Sequence, residues 1–259
     1  MNKLSMLLAA TLSLSFPFVV AAQGEPVGEV ALVTGLVTVA GEGAPRSLGK
    51  GDAIYEGMSI SVGANSYANL KFKDGGRVLL RPSTEFAVES FRYAAAAVPA
   101  PVTSAPPKPA TATTPTGGNA FFRLVRGGFR AVSGLIGKGD QQAYRVTTPA
   151  ATIGIRGTDY EVQVCTDDCP NQAQAIAGGT EVASTTLEGI QLAQAGGNAG
   201  GGLIVATNEG SIVLRTSRGD TVVDVGQVAL ALANGQTFML PAVPDVMLRN
   251  STPPPEECQ

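Results

Sequence analysis

The chain has no histidine and no tryptophan among its 259 residues. Without histidine there is no Ser-His-Asp triad, no Cys-His pair, no HExxH zinc site and no haem held by His. Aromatic residues make up 5% and charged residues 15%; an average globular domain is roughly 25% charged. The formal net charge of −3 argues against a nucleic-acid binder. Beyond the first residues no apolar run approaches the roughly 20 residues that a membrane helix needs. Catalytic motifs are scarce too. Ser47-Leu48-Gly49-Lys50 matches S-x-x-K, but Gly41, Gly43, Gly49 and Gly51 spoil the helix turn that would join Ser to Lys. Asp167-Asp168 lacks the alternating ligands of an EF-hand, and no G-K-[ST] closes a P-loop. No spacing nominates a carboxylate pair for glycoside hydrolysis. No cofactor and no metal site is expected.

The N-terminus is informative. Lys3 gives a positive start, Leu4 to Phe16 an apolar run, Pro17 a break, and Val20-Ala21-Ala22 small residues at a cleavage site. This predicts a secretory signal peptide over 1–22, cut after Ala22. The expected product is periplasmic or secreted, with no transmembrane anchor after cleavage. Cys165 and Cys169 suit that oxidising compartment as a local disulfide, and Cys258 is left over in a Pro-rich tail.

The rest divides by composition. Residues 28–93 and 119–165 form two parts of one β-rich domain. Between them, 94–118 is rich in Ala, Pro and Thr with the single charge Lys108, a composition that predicts a disordered, extended insertion. Residues 166–202 are acidic and then Gly-rich, 203–249 form a C-terminal β-repeat, and 250–259 a flexible tail. Ser66 to Phe72 alternates with period two, Asp74-Gly75 signals a hairpin turn, and Arg77 to Leu80 returns. Phe121 to Ile136 carries a helical stripe, but Gly127-Gly128 in its middle favours strands. Gly35 to Val39 followed by Gly49 to Asp52 is echoed by Gly210 to Leu214 followed by Val223 to Gln227. Such a repeat fits stacked hairpins. The fold class is therefore all-β, either sandwich-like or a short β-solenoid.

One run is more specific. Thr148-Pro149-Ala150-Ala151-Thr152-Ile153-Gly154-Ile155-Arg156-Gly157-Thr158-Asp159 resembles the signature of the FecR domain family. Phe122 to Arg130, Gly35 to Val39 and Asp74 to Val78 fit the same pattern. The resemblance covers Val30 to Val164 and returns weakly from Leu203 to Gly235. It implies an extracytoplasmic all-β domain. In the family's namesake that domain belongs to an inner-membrane regulator, which relays the state of an outer-membrane iron transporter to a sigma factor. This chain shows no membrane helix or cytoplasmic segment of that kind, so only the recognition half of the analogy carries over.

Within the motif, Pro149 holds Thr148 extended. Gly154 and Gly157 allow a bulge or tight turn, and Asp159 is placed to close a local side-chain to backbone bond or to pair with Arg156. Two readings of Arg156 stay open: an internally paired residue at a corner where two sheets meet, or a contact to an anionic ligand or partner carboxylate. From Asn119 to Arg156 six basic residues face one acidic residue, Asp140, whereas Gly157 to Ile190 holds six acidic residues and no basic one. These stretches either neutralise one another across a sheet or form a charged contact face. The expected function is a non-enzymatic domain binding an envelope protein or glycan, in signal sensing. The alternatives are a structural or assembly module, or a carboxylate-dependent glycan hydrolase.

Overall fold

Three long strands organise the chain, and each bends at a glycine. The computed structural model describes residues 24–41, 43–94, 118–165 and 202–249. The expected signal peptide, the tail, the 166–201 stretch with Cys169, and the Pro-rich insertion apart from Ala94 and Gly118 lie outside these. The described residues form β1 (Gly28–Thr34), β2 (Val37–Gly41), β3 (Gly43–Ser47), β4 (Ala53–Ile54), β5 (Ser59–Val62), β6 (Tyr67–Phe72), β7 (Arg77–Leu80) and β8 (Glu85–Arg92). They continue with β9 (Asn119–Val132), α1 (Leu135–Gly139), β10 (Tyr144–Thr147), β11 (Thr152–Val164), β12 (Leu203–Thr216), β13 (Gly219–Asp224), β14 (Val228–Ala231), β15 (Thr237–Leu240) and α2 (Asp245–Arg249).

The first half of β9 pairs with β8 on one side and, in parallel, with β10 on the other. After Gly127 (φ +77°) its second half pairs with β7 and β11 instead. Strand β11 changes neighbours at the bulge between Arg156 and Asp159, where Gly157 has φ +59°. Strand β12 does so at Gly210, φ +74°, passing from β14 to β13. The result is two layers that share three bent strands. One runs β4-β1-β6-β7-β9-β11-β12-β14-β15, the other β3-β2-β5-β8-β9-β10-β11-β12-β13. Of the two all-β arrangements expected, this is the sandwich-like one. The glycines act as hinges because left-handed backbone costs other residues about 1–2 kcal/mol.

The core lies between the layers. Phe72 of the first stacks on Phe91 of the second at 5.2 Å, and Phe86 meets Phe129 edge-on at 5.7 Å. Tyr144 and Tyr160, one from each layer, share a hydrogen bond of 2.7 Å between fully enclosed hydroxyls. Burial raises both phenols above their ordinary pKa. The stripe from Phe121 to Ile136 is strand up to Val132 and helical only at Leu135–Gly139, so the double glycine does exclude a long helix.

The internal echo in the sequence is a repeat in the fold. Chain segment β1-β2-β3-β4 crosses from layer to layer and returns, and the two halves of β12 with β13 and β14 repeat that path. The return turns match. In Gly49–Asp52 the Asp52 carboxylate accepts the Gly49 N–H at 2.9 Å. In Asp224–Gln227 the Gln227 side-chain oxygen Oε1 accepts the Asp224 N–H at 2.8 Å. Gly51 and Gly226 both have positive φ and donate to the carbonyls of Val30 and Thr207.

Candidate functional site

The signature segment links β10 to β11 and then turns the corner between the layers. Thr148 closes its start: its hydroxyl donates to the Ala151 carbonyl at 2.7 Å and accepts the Ala151 N–H at 3.1 Å. Pro149 sits inside that turn, where its missing N–H costs nothing. Gly154 is an ordinary strand residue without positive φ, so the bulge falls at Gly157 alone. Gly210 packs against that corner so closely that a Cβ there would lie 2.4 Å from the Gly157 carbonyl oxygen. Thr158 exchanges backbone and side-chain hydrogen bonds with Ser133, both at 2.9 Å.

Asp159 does not pair with Arg156. Its carboxylate takes two hydrogen bonds from Arg130 of β9, at 3.0 and 2.7 Å, and a third from Asn208 at 3.3 Å. The reason is register: β9 lies beside this half of β11, with Arg130 opposite Glu161 and next to Asp159. Arg130 also reaches Glu161 at 3.5 Å, and Glu161 accepts from Arg81. Arg81 is 1% exposed, and its Nε and Nη1 have no hydrogen-bond partner. Burial pushes its pKa below the usual arginine value, with Glu161 pulling the other way. The expected neutralisation of basic against acidic strands is thus real at Arg130. Elsewhere the basic residues pair with β8: Arg123 with Glu89, and Arg126 with Glu85 at 3.4 Å. Arg145 lies over the Phe121 ring at 4.2 Å.

Arg156 stands apart. It is exposed at the corner and forms no ion pair among the described residues, which speaks against the first of its two readings, internal pairing. Lys138 is exposed beside it, with its Cγ 3.5 Å from where a Gly157 Cβ would stand. The other polar side chains of the motif that bond at all do so within the fold.

A second feature lies at the end of the sandwich where the chain crosses from β4 to β5. There a groove of about 760 Å³ runs between the turn Tyr55–Met58 and the end of β8 at Phe91–Tyr93. Its carboxylates are already engaged: Glu25 with Lys73, Glu56 with Arg92 and the Phe91 N–H, Glu89 with Arg123. Lys73 holds the Glu25 carboxyl below its ordinary pKa.

A family model described as "FecR protein" matches residues 58–189, about half of the chain. The chain belongs to the FecR family. The match starts just before β5, includes the whole signature corner, and runs past the end of β11. Strands β1–β4 precede the matched residues. Two crystal structures described as an anti-sigma factor from Parabacteroides distasonis, at 2.50 and 1.65 Å resolution, align at TM-scores of 0.40 and 0.39 with 12% identity. Each alignment covers 70% of this chain and 58% of that protein, so the chain spans less than two thirds of its length. The comparison with curated proteins finds no match. Among the described residues of this FecR chain no helix is long and apolar enough to cross a membrane.

The structure thus gathers Arg156, Gly157, Thr158 and Asp159 at one corner and leaves Thr148 and Pro149 at the far end of the β11 half-strand. Cys165 is buried at the end of β11; its expected partner Cys169 is outside the described residues. Sequence reasoning missed Arg81 and the groove, and it did not single out Arg130 from the other basic residues. Arg81 follows a regular hairpin strand, and nothing in its neighbours' identity marks it as buried. Tyr55-Glu56-Gly57-Met58 does carry a signal: its glycine in third place matches Gly49–Asp52 and Asp224–Gln227.

Proposed function

We propose that this FecR domain is a non-enzymatic binding module of the cell envelope, in signal sensing, and that it presents the Arg156 corner to an acidic protein partner. The observation that carries the reading is that Arg156 is exposed with no ion pair among the described residues, while Asp159 and Thr148 are committed inside the fold. A guanidinium held on a rigid corner suits bidentate recognition of a carboxylate. A non-enzymatic role is supported by the family and by the state of the carboxyls. Among the described residues, burial raises the pKa of one carboxyl, Asp74. It is 4% exposed and spends its oxygens on the N–H groups of Gly76 and Ile136, out of reach of substrate.

In-cell crosslinking of the tagged chain, with mass spectrometry of what is captured, tests this. The expected result is an envelope protein recovered with the native chain and lost with Arg156→Ala, at unchanged melting temperature. Recovery that ignores Arg156→Ala would overturn the assignment of the corner. The assembly reading draws on one observation: among the described residues β13 pairs on one side only, and Val222 within it and Val225 just after it are more than half exposed. A concentration-dependent oligomer in sedimentation would favour it.

A further inference from the structure

We propose that the groove between Tyr55–Met58 and Phe91–Tyr93 is a binding site for a short neutral oligosaccharide. This rests on the reading of the chain as an envelope binding module and names a second surface and its ligand class.

The turn Tyr55–Met58 is a third copy of the turn the fold uses at Gly49–Asp52 and Asp224–Gln227. Gly57 has φ +84°, and its N–H donates to the Val88 carbonyl just as Gly51 and Gly226 donate to theirs. The difference is the fourth residue. In the other two copies an Asp or Gln oxygen accepts the first N–H; here the acceptor is the Met58 thioether sulfur, 3.4 Å from the Tyr55 nitrogen. A thioether is a poor acceptor, so this copy gives up hydrogen-bond quality. What it gains is a methionine and a tyrosine on the wall of a groove. A departure from the chain's own rule at a concave surface marks a site under a second demand.

The groove suits sugars in three ways. Its volume of about 760 Å³ falls within the roughly 300–1,000 Å³ of small-molecule sites. Tyr55 and Tyr93 line it half-buried, and neither hydroxyl has a hydrogen-bond partner among the described residues. Phe91 behind them is fixed by its stack on Phe72, so the floor is rigid. The rim carboxylates Glu25, Glu56 and Glu89 keep unused lone pairs for hydroxyl donors, yet each is matched by Lys73, Arg92 or Arg123. The rim therefore offers acceptors with little net field. That favours a polyhydroxylated neutral ligand over an ion.

The test is titration of the full chain with chitotetraose and with cellotetraose. Because the chain lacks tryptophan, tyrosine emission reports directly, and amide chemical shifts locate the contact. Saturable binding is expected, with shifts at Tyr55–Met58 and Phe91–Tyr93. Tyr55→Ala should weaken it about tenfold with melting temperature unchanged, Tyr93→Ala should weaken it as much at a lowered melting temperature because Tyr93 also packs on the core, and Tyr55→Phe should weaken it less. No saturable binding, shifts confined elsewhere, or preference for charged sugars or a proline-rich peptide would overturn the proposal. If the sugars fail while crosslinking still captures a partner through Arg156, the groove assignment falls and the binding-module reading stands. If both fail, both fall.

Discussion

Replacing Glu161 by Gln should destabilise the fold more than replacing Arg81 by Met, although Arg81 is the more buried partner. Arg81 is 1% exposed, and Glu161 is its one acidic partner among the described residues. Removing that charge leaves a guanidinium enclosed without a counterion, with Nε and Nη1 already unsatisfied. Removing one partner of a buried pair costs about 3–5 kcal/mol. Glu161, by contrast, keeps Arg130 at 3.5 Å when Arg81 is gone, and its side chain is 14% exposed. Arg81→Met also discards the two orphaned donors, so its cost should be about 1–2 kcal/mol. For a chain of this size a loss of 3 kcal/mol lowers the melting temperature by about 6–12 °C. Urea unfolding of both variants, followed by far-UV circular dichroism, measures the difference. Arg81→Met as damaging as Glu161→Gln would refute the reasoning, because the loss would then follow packing rather than the stranded charge. The double variant should recover part of the loss of Glu161→Gln.

Further outcomes follow from the same geometry. Tyr144→Phe or Tyr160→Phe alone strands one buried hydroxyl and should cost about 1–3 kcal/mol, whereas the double variant should cost less than the sum; a thermodynamic cycle by urea unfolding measures this. Both phenols have raised pKa in the fold, so the folded state keeps protons that the unfolded state releases. Their contribution is full below the unfolded value near 10 and is lost as pH rises above it; tyrosinate absorbance at 295 nm should show the two titrating only with unfolding. Asp74 has the same sign at acid pH. Burial raises its pKa, so its contribution falls as pH climbs from about 4, and Asp74→Asn should flatten that slope in urea midpoints measured from pH 4 to 6. Gly210→Ala should destabilise more than Gly157→Ala, since its Cβ would meet the Gly157 carbonyl at 2.4 Å whereas a Cβ at Gly157 meets only Lys138; thermal melts of the two variants rank them.

Much of the fold was legible in the chain because strands announce themselves locally. Alternation over Ser66–Phe72, the Asp74-Gly75 turn and the double glycine in β9 depend on near neighbours, and each corresponds to an observed element. The echo of Gly35–Asp52 in Gly210–Gln227 was visible for the same reason. What the echo meant was not: that both segments cross between layers at a left-handed glycine is a property of pairing partners far apart in sequence. Family membership, too, was written in one contiguous run from Thr148 to Asp159.

The partners of that run's charges were decided only in three dimensions. Asp159 and Arg156 lie close in sequence, yet Arg130, which lies 29 residues away, takes the carboxylate. Arg81 becomes the most enclosed charge among the described residues because the end of β7 places it beside β9 and β11. The groove joins a turn at 55–58 to a strand end at 91–93. Composition and period determine which segments become strands and where they turn, since those preferences act over a few residues. Which charge is satisfied, which is stranded and which is left facing solvent depends on register between distant strands, and only the tertiary structure sets that.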